Sequence, residues 1–351
     1  LYARFAIAER SSDLEKSSVL GLSTAADRVY YDSKSFQETR PEGQHELKET
    51  AMLAGVSLPE VTRAGEGFPE SFKTLIAALG VEFRLLRAER SLVVLVPLAV
   101  FLSTLELAFY EVVPDTSYSA TYATSTATTL LLFLVGMTVF YTGEAMHRDR
   151  EVRIEPILWA APVPNSVLLL SKFFATFLLT FSLVVLVGLT SIMIQLLRGH
   201  TPLEVSAYLT VYTVILLPSV AFMTAASIAL NVLLRDKYFA YAVSIATGGG
   251  LFYLYSQGYN HWLYNPPLYQ LWQYPDLTGA GNNQATILVH RIYCLAIGGV
   301  CLALAHLFFE RRSTRGLTIG GRLLGNCWSI FIMVISAAIA VIAGFVIDAR
   351  E

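Results

Sequence analysis

The chain has 351 residues, of which 54% are hydrophobic and 15% charged. A water-soluble domain carries about a quarter charged residues, so the composition excludes an ordinary soluble globular protein and points to the bilayer. The formal net charge of −2 provides no basic field for nucleic acid.

Residues 1–70 open on LYARFAIAERSS and continue through polar, irregular sequence such as DSKSFQETRPEGQHELKET. This stretch predicts a partly disordered linker. The start at Leu1 makes a segment of a larger protein the expectation, and no signal peptide is visible. At 71–89, Phe72, Leu75, Ile76, Leu79, Phe83 and Leu86 recur at helical spacing, with Lys73, Glu82, Arg84 and Arg87 between them. A basic amphipathic helix just before a membrane span is expected to lie in the interface plane.

Apolar runs near the 20-residue crossing length follow at about 91–113, 125–145, 165–197, 203–234, 237–257, 286–309 and 327–347. The expected fold class is an all-α polytopic membrane protein of about seven spans, with kinks at Pro97 and Pro218. Arg84, Arg87, Arg90, Arg148, Arg150, Arg153, Arg235, Lys237, Arg311, Arg312, Arg315 and Arg322 all fall on one side of this topology. The opposite segments 114–124 and 258–285 carry no Lys or Arg, and the short loop near 198–202 carries only Arg198. The positive-inside rule then makes the basic side and the N-terminus cytoplasmic, and the C-terminus extracytoplasmic. The segment 258–285 holds Trp262, Trp272, Tyr259, Tyr264, Tyr269 and Tyr274, with breaks at Pro266, Pro267 and Pro275. Such rings favour the membrane–water boundary, and a short re-entrant helix or two is expected there.

Enzymatic signatures are missing from the sequence. No G-x-x-x-x-G-K-[ST] occurs, and His45-Glu46-Leu47-Lys48-Glu49 lacks the second histidine of a zinc motif. No cofactor or metal is therefore expected on this chain. Cys294, Cys301 and Cys327 lack metal-type spacing and read as small apolar residues. Gly248, Gly249 and Gly250 fall within a span, where they suit close helix packing. Glu106 is the acid well inside a span; His290 and Arg291 are its expected partners. Asn231 suits an interhelical hydrogen bond.

The most charged stretch between two apolar runs is GEAMHRDREVRIEPILWAAPVPNSVLLLSKF, 143–173. It must leave the hydrocarbon, and its Pro-Val-Pro ends one helix and begins another. This stretch resembles the E-R-E…I…P-V-P…L…K segment of type-2 ABC exporter permeases, and the order of elements over 70–347 resembles that family too. The likeness implies a coupling helix that docks on a nucleotide-binding subunit. Glu144, Arg148, Arg150, Glu151, Ile154, Ile157 and Leu158 would face that ATPase, and Pro162, Pro164 and Lys172 would begin the next span. It also implies a connecting helix at 71–89, a six-helix transmembrane domain at 90–310, and ATP with Mg on the partner subunit. A second permease half, or a second copy, would complete the pathway in a bacterial cytoplasmic membrane. A seventh span, within 311–351, departs from the usual six. It resembles the tether of bacterial fusions in which two permease halves precede an aminopeptidase N-like domain. The competing reading is a membrane anchor for such a peptidase. An intramembrane enzyme is disfavoured, because no Ser/Lys, His cluster or paired carboxylates converge.

Overall fold

The structure, a computed structural model, describes residues 68–109, 117–154, 156, 158, 163–269, 283–309 and 327–350. Of the linker expected at 1–70, residues 1–67 lie outside the described residues and 68–70 already belong to the first helix; residues 310–326, with the basic loop expected before the last span, also lie outside them. The described elements are helical: α1 (Phe68–Arg87), α2 (Leu92–Phe109), α3 (Tyr118–Glu151), α4 (Asn165–Leu197), α5 (Val205–Leu234), α6 (Lys237–Ser256), α7 (Gln284–Phe308) and α8 (Cys327–Asp348).

Each expected span coincides with a helix, but the expected count of seven is not reached by length and composition. Among the described residues, the five helices α3, α4, α5, α7 and α8 are long and apolar enough to cross a membrane, and the count is six if the bent pair α1–α2 is one span. The run that drops out is α6. Its 20 residues, KYFAYAVSIATGGGLFYLYS, are diluted by lysine, tyrosine, glycine and hydroxyl side chains.

α1 and α2 meet at 79°. α1 packs on α4, and its inner face carries Leu79, Glu82, Phe83 and the fully buried Leu86. α3 and α4 are far longer than the roughly 30 Å hydrocarbon core requires: at 1.5 Å per residue the 34 residues of α3 extend about 51 Å. Nothing between Gly136 and Glu151 breaks α3, so the charged sequence expected to form a separate helix from 144 continues the span instead.

The helix ends follow local chemistry. Ser117 caps α3 by accepting Ala120 N–H at 3.3 Å, and Asp236 caps α6 by accepting Phe239 N–H at 2.8 Å. α4 ends on Gly199 (φ +69°) and α6 on Gly258 (φ +82°). In both, the two N–H groups past the cap fold back onto carbonyls of the last turn. α3 ends the same way, with Arg153 N–H on Arg150 O and Ile154 N–H on Asp149 O. There the left-handed position, φ +60°, is held by Arg153.

The central core joins α3, α4 and α5 through Leu130, Leu134, Tyr141, Leu183, Val187 and Ile215. α6 crosses α3 at Gly143, where the Tyr241 ring occupies the place a β-carbon would take. α8 packs on α7, with Gly299 against Ser336, and its Gly344 meets Trp262 of the segment after α6. Arg198, an exception to the one-sided basic pattern, is exposed and donates to Leu107 O at 2.7 Å.

Of the segment 258–285, where a short re-entrant helix or two is expected, the described residues 258–269 form successive turns. Asn265 N–H reaches His261 O at 3.1 Å and Tyr269 N–H reaches Asn265 O at 3.0 Å. Pro266 and Pro267 have no N–H to continue such bonding. Residues 270–282 lie outside the described part.

Candidate functional site

The last two turns of α3 carry six charged or titratable residues, and helical geometry sorts them by face. Glu144 and Glu151, seven residues apart, point to α6, where Lys237 Nζ contacts Glu144 Oε1 and Glu151 Oε1, each at 2.8 Å. His147 and Arg150 point to α5: His147 Nε2 lies 3.1 Å from Asn231 Oδ1, and Arg150 donates to Arg235 O at 3.2 Å. Arg148 and Asp149 point to α1 and α4.

That third face is the most connected. Glu82 of α1 accepts from Arg148 Nη2 and, at 2.9 Å, from Lys172 Nζ of α4. Lys172 directs its remaining protons to Asp149 Oδ2 at 2.7 Å and to the Ala145 carbonyl. Its side chain is only 6% exposed. A lysine so enclosed is retained only when its charge is paired and all its donors are used, and both conditions hold here. Tyr241 OH adds a 3.3 Å bond to Glu144 Oε1, at the crossing that Gly143 permits. The web contains the cations Arg148, Lys172 and Lys237 and the carboxylates Glu82, Glu144, Asp149 and Glu151. It therefore carries one surplus negative charge, and Glu151, 52% exposed, is its open end.

The residues expected to face an ATPase thus divide into two groups. Glu144 and Arg148 are engaged inside the web, with side chains 18% and 13% exposed. Arg150, Glu151 and Ile154 stand exposed at the tip of α3, together with Val152 and Arg153. Leu158 is half-buried and Pro164 is the exposed residue before α4. Ile157 and Pro162 lie outside the described residues. Sequence reasoning missed Glu82 as the node and Lys172 as its second cation. The available signal was an acid on the α1 face that also carries Leu79, Phe83 and Leu86.

The expected partnership of Glu106 with His290 or Arg291 is not formed. Glu106 is exposed on α2 and accepts from Thr129 Oγ1 of α3. Arg291 is turned away, into contacts with α5 and the 257–269 segment. His290 is buried and stacks with Tyr269, ring centroids 5.1 Å apart. Asn231 makes the expected interhelical bond, with His147 as its partner. Among the described residues no three His, Cys, Asp or Glu side chains converge as a metal site.

A model of the ABC-2 family transporter proteins matches residues 78–256, more than half of the chain. The chain belongs to that family. The matched region runs from within α1 to the end of α6 and so contains the entire charge web. Neither a curated protein nor a solved structure matches the chain. As an ABC-2 permease it is a multi-pass membrane component of an ABC transport system, of a family that works with an ATPase subunit.

Proposed function

We propose that this ABC-2 permease couples ATP hydrolysis on a separate cytoplasmic subunit to export of a substrate, and that the tip of α3 is where the ATPase docks. The observation that carries this reading is the division within the charged segment. Arg150, Glu151, Val152, Arg153 and Ile154 are exposed, while the residues behind them are cross-linked by ion pairs to α1, α4 and α6. A tip backed in this way transmits a push; a tip on a free loop would absorb it. The basic end is then cytoplasmic, and the protein sits in a bacterial inner membrane with a second half or a second copy completing the pathway. ATP and Mg bind to the partner, which shifts the permease between conformations only through its different contacts with each. The likeness to permease–aminopeptidase fusions extends the proposal to a peptidase domain outside this chain.

The test is capture of a co-expressed ABC ATPase subunit from the same genome. Reversing Arg150 and Arg153 to glutamate is expected to abolish capture with the protein still inserted, whereas Val152→Ala weakens it. Equal capture by wild type and the double reversal overturns the docking assignment and leaves the membrane-anchor reading.

A further inference from the structure

The end of the molecule away from the charge web holds a second constellation that ATPase docking does not explain. Between Thr210 and Leu216, α5 widens into π-helical bonding, a feature that recurs at functional sites. Pro218 follows and brings no N–H to the ladder. Arg291 of α7 enters at this point and donates to Ile215 O at 3.4 Å, to Ser219 Oγ at 3.1 Å, and to the carbonyl of Tyr269. Ser219 Oγ in turn donates to Pro267 O at 3.0 Å. Two carbonyls of the 257–269 segment, Pro267 and Tyr269, are thereby pinned to α5 and α7.

The chemistry of the pin is unusual. Arg291 is 4% exposed, its three partners are all neutral, and its Nε has none. A permanent tie among carbonyls and a hydroxyl needs only a neutral amide. A guanidinium buried inside the membrane with no acid beside it costs far more, and it is held there by the three bonds that tie the segment down. Beneath the segment, Pro267 and Leu268 close one side of a cavity of about 120 Å³ between α3, α5 and α6, and no charged side chain lines it. Ser227 and Ser244 contribute hydroxyls that are buried there without a partner. An apolar cavity of about 150 Å³ holds one benzene, so this one takes a single ring or a short run of methylenes.

We propose that residues 257–269 are a latched roof over a binding cavity for an uncharged apolar group. Arg291 and Ser219 are its positioning residues, closed in this structure and released when the roof lifts. That the occupant is transported cargo rests on the permease reading; the latch and the cavity do not.

The native Cys294 tests the latch. It is fully buried one turn from Arg291, with its Sγ 3.7 Å from Pro218 O. In nanodiscs, on a Cys327→Ser background and with no ATPase present, a polar maleimide should label Cys294 slowly. Arg291→Met should raise the rate about tenfold, which corresponds to one lost charged hydrogen bond of about 1.4 kcal/mol. Arg291→Lys should fall between, and Cys301, deeper in α7, should stay unchanged. Ser219→Ala, which frees the Pro267 carbonyl, gives a smaller rise and serves if Arg291→Met does not insert. Equal labelling of Cys294 in wild type and both variants, or Cys301 rising in step, overturns the latch. In the Arg291→Met background, 1-octanol should slow labelling of a thiol placed by Ser244→Cys and octanesulfonate should not. Equal slowing by both, or by neither, overturns the ligand class. Loss of ATPase capture would leave all these outcomes in place, so the two proposals fail separately.

Discussion

The two ends of the helix bundle are fastened by different chemistry. At the basic end, side chains pair with side chains: Glu82, Lys172, Asp149, Lys237 and Glu144 join four helices through shared ions. At the opposite end the ties run into neutral groups. Arg291 and Ser219 hold the carbonyls of Tyr269 and Pro267. Nearby, Gln195 joins Ser119, Tyr208 and the His200 carbonyl at 2.7–3.0 Å. Ion pairs between helices can exchange partners as helices shift, since each shared cation touches two acids. Bonds to backbone carbonyls fix one chain segment in one place. The first arrangement suits an end that receives a push, the second an end that stays shut until it is released.

The largest effect that would break this contrast is expected at Lys172. Lys172→Met leaves Glu82 and Asp149 without their shared cation in a closed site, a loss of about 3–5 kcal/mol. Thermal unfolding in detergent measures it, and a loss below about 1 kcal/mol would mean that the web is not what joins α1 to α4. Next comes Gly143→Val. The new side chain displaces the Tyr241 ring, with an overpacking cost of about 1–3 kcal/mol. Because Tyr241 and Lys237 both reach Glu144, a Gly143→Val/Lys237→Ala double variant should lose less than the sum of the two single losses.

A smaller effect sharpens the comparison. Lys237→Ala breaks pairs whose outer member, Glu151, is half in water, so about 1 kcal/mol or less is expected. That loss should shrink as salt rises from 0.05 to about 0.5 M, whereas the Cys294 labelling change of Arg291→Met should be insensitive to salt. The smallest change has the opposite sign. Arg153 occupies a left-handed position that costs a non-glycine residue about 1 kcal/mol. Arg153→Gly should relieve that strain and offset it partly through the freer unfolded chain, for a net gain below about 1 kcal/mol by the same unfolding measurement.

Much of the architecture was legible because the bilayer allows so few solutions. Long apolar runs must be helices, and the helices of the structure lie where those runs are. The charge of the stretch after the second span was equally legible, and Arg150, Glu151 and Ile154 stand exposed there. Legibility stopped where partners are distant in sequence. Glu82 and Lys172 are 90 residues apart, and periodicity within α1 gives no sign of which helix its acid will meet. Glu106 and Arg291 made a reasonable pair by charge and depth, but opposite facing put one on Thr129 and the other on carbonyls. The end of α3 was misplaced for a local reason: no residue type marks Arg153 as the left-handed terminator.

The sequence by itself determined that this protein lives in a membrane, where its helices run, which side is basic, and that a charged segment emerges beside Pro162–Pro164. Those properties follow from hydrophobic length and the cost of burying charge, both local along the chain. Only the tertiary structure decided which charges face outward and which hold the helices together, and that an arginine expected to meet an acid instead grips the backbone of a roof. These depend on how helices rotate against one another. That rotation is set by contacts such as Gly143 on Tyr241 and Gly344 on Trp262, which no one-dimensional pattern records.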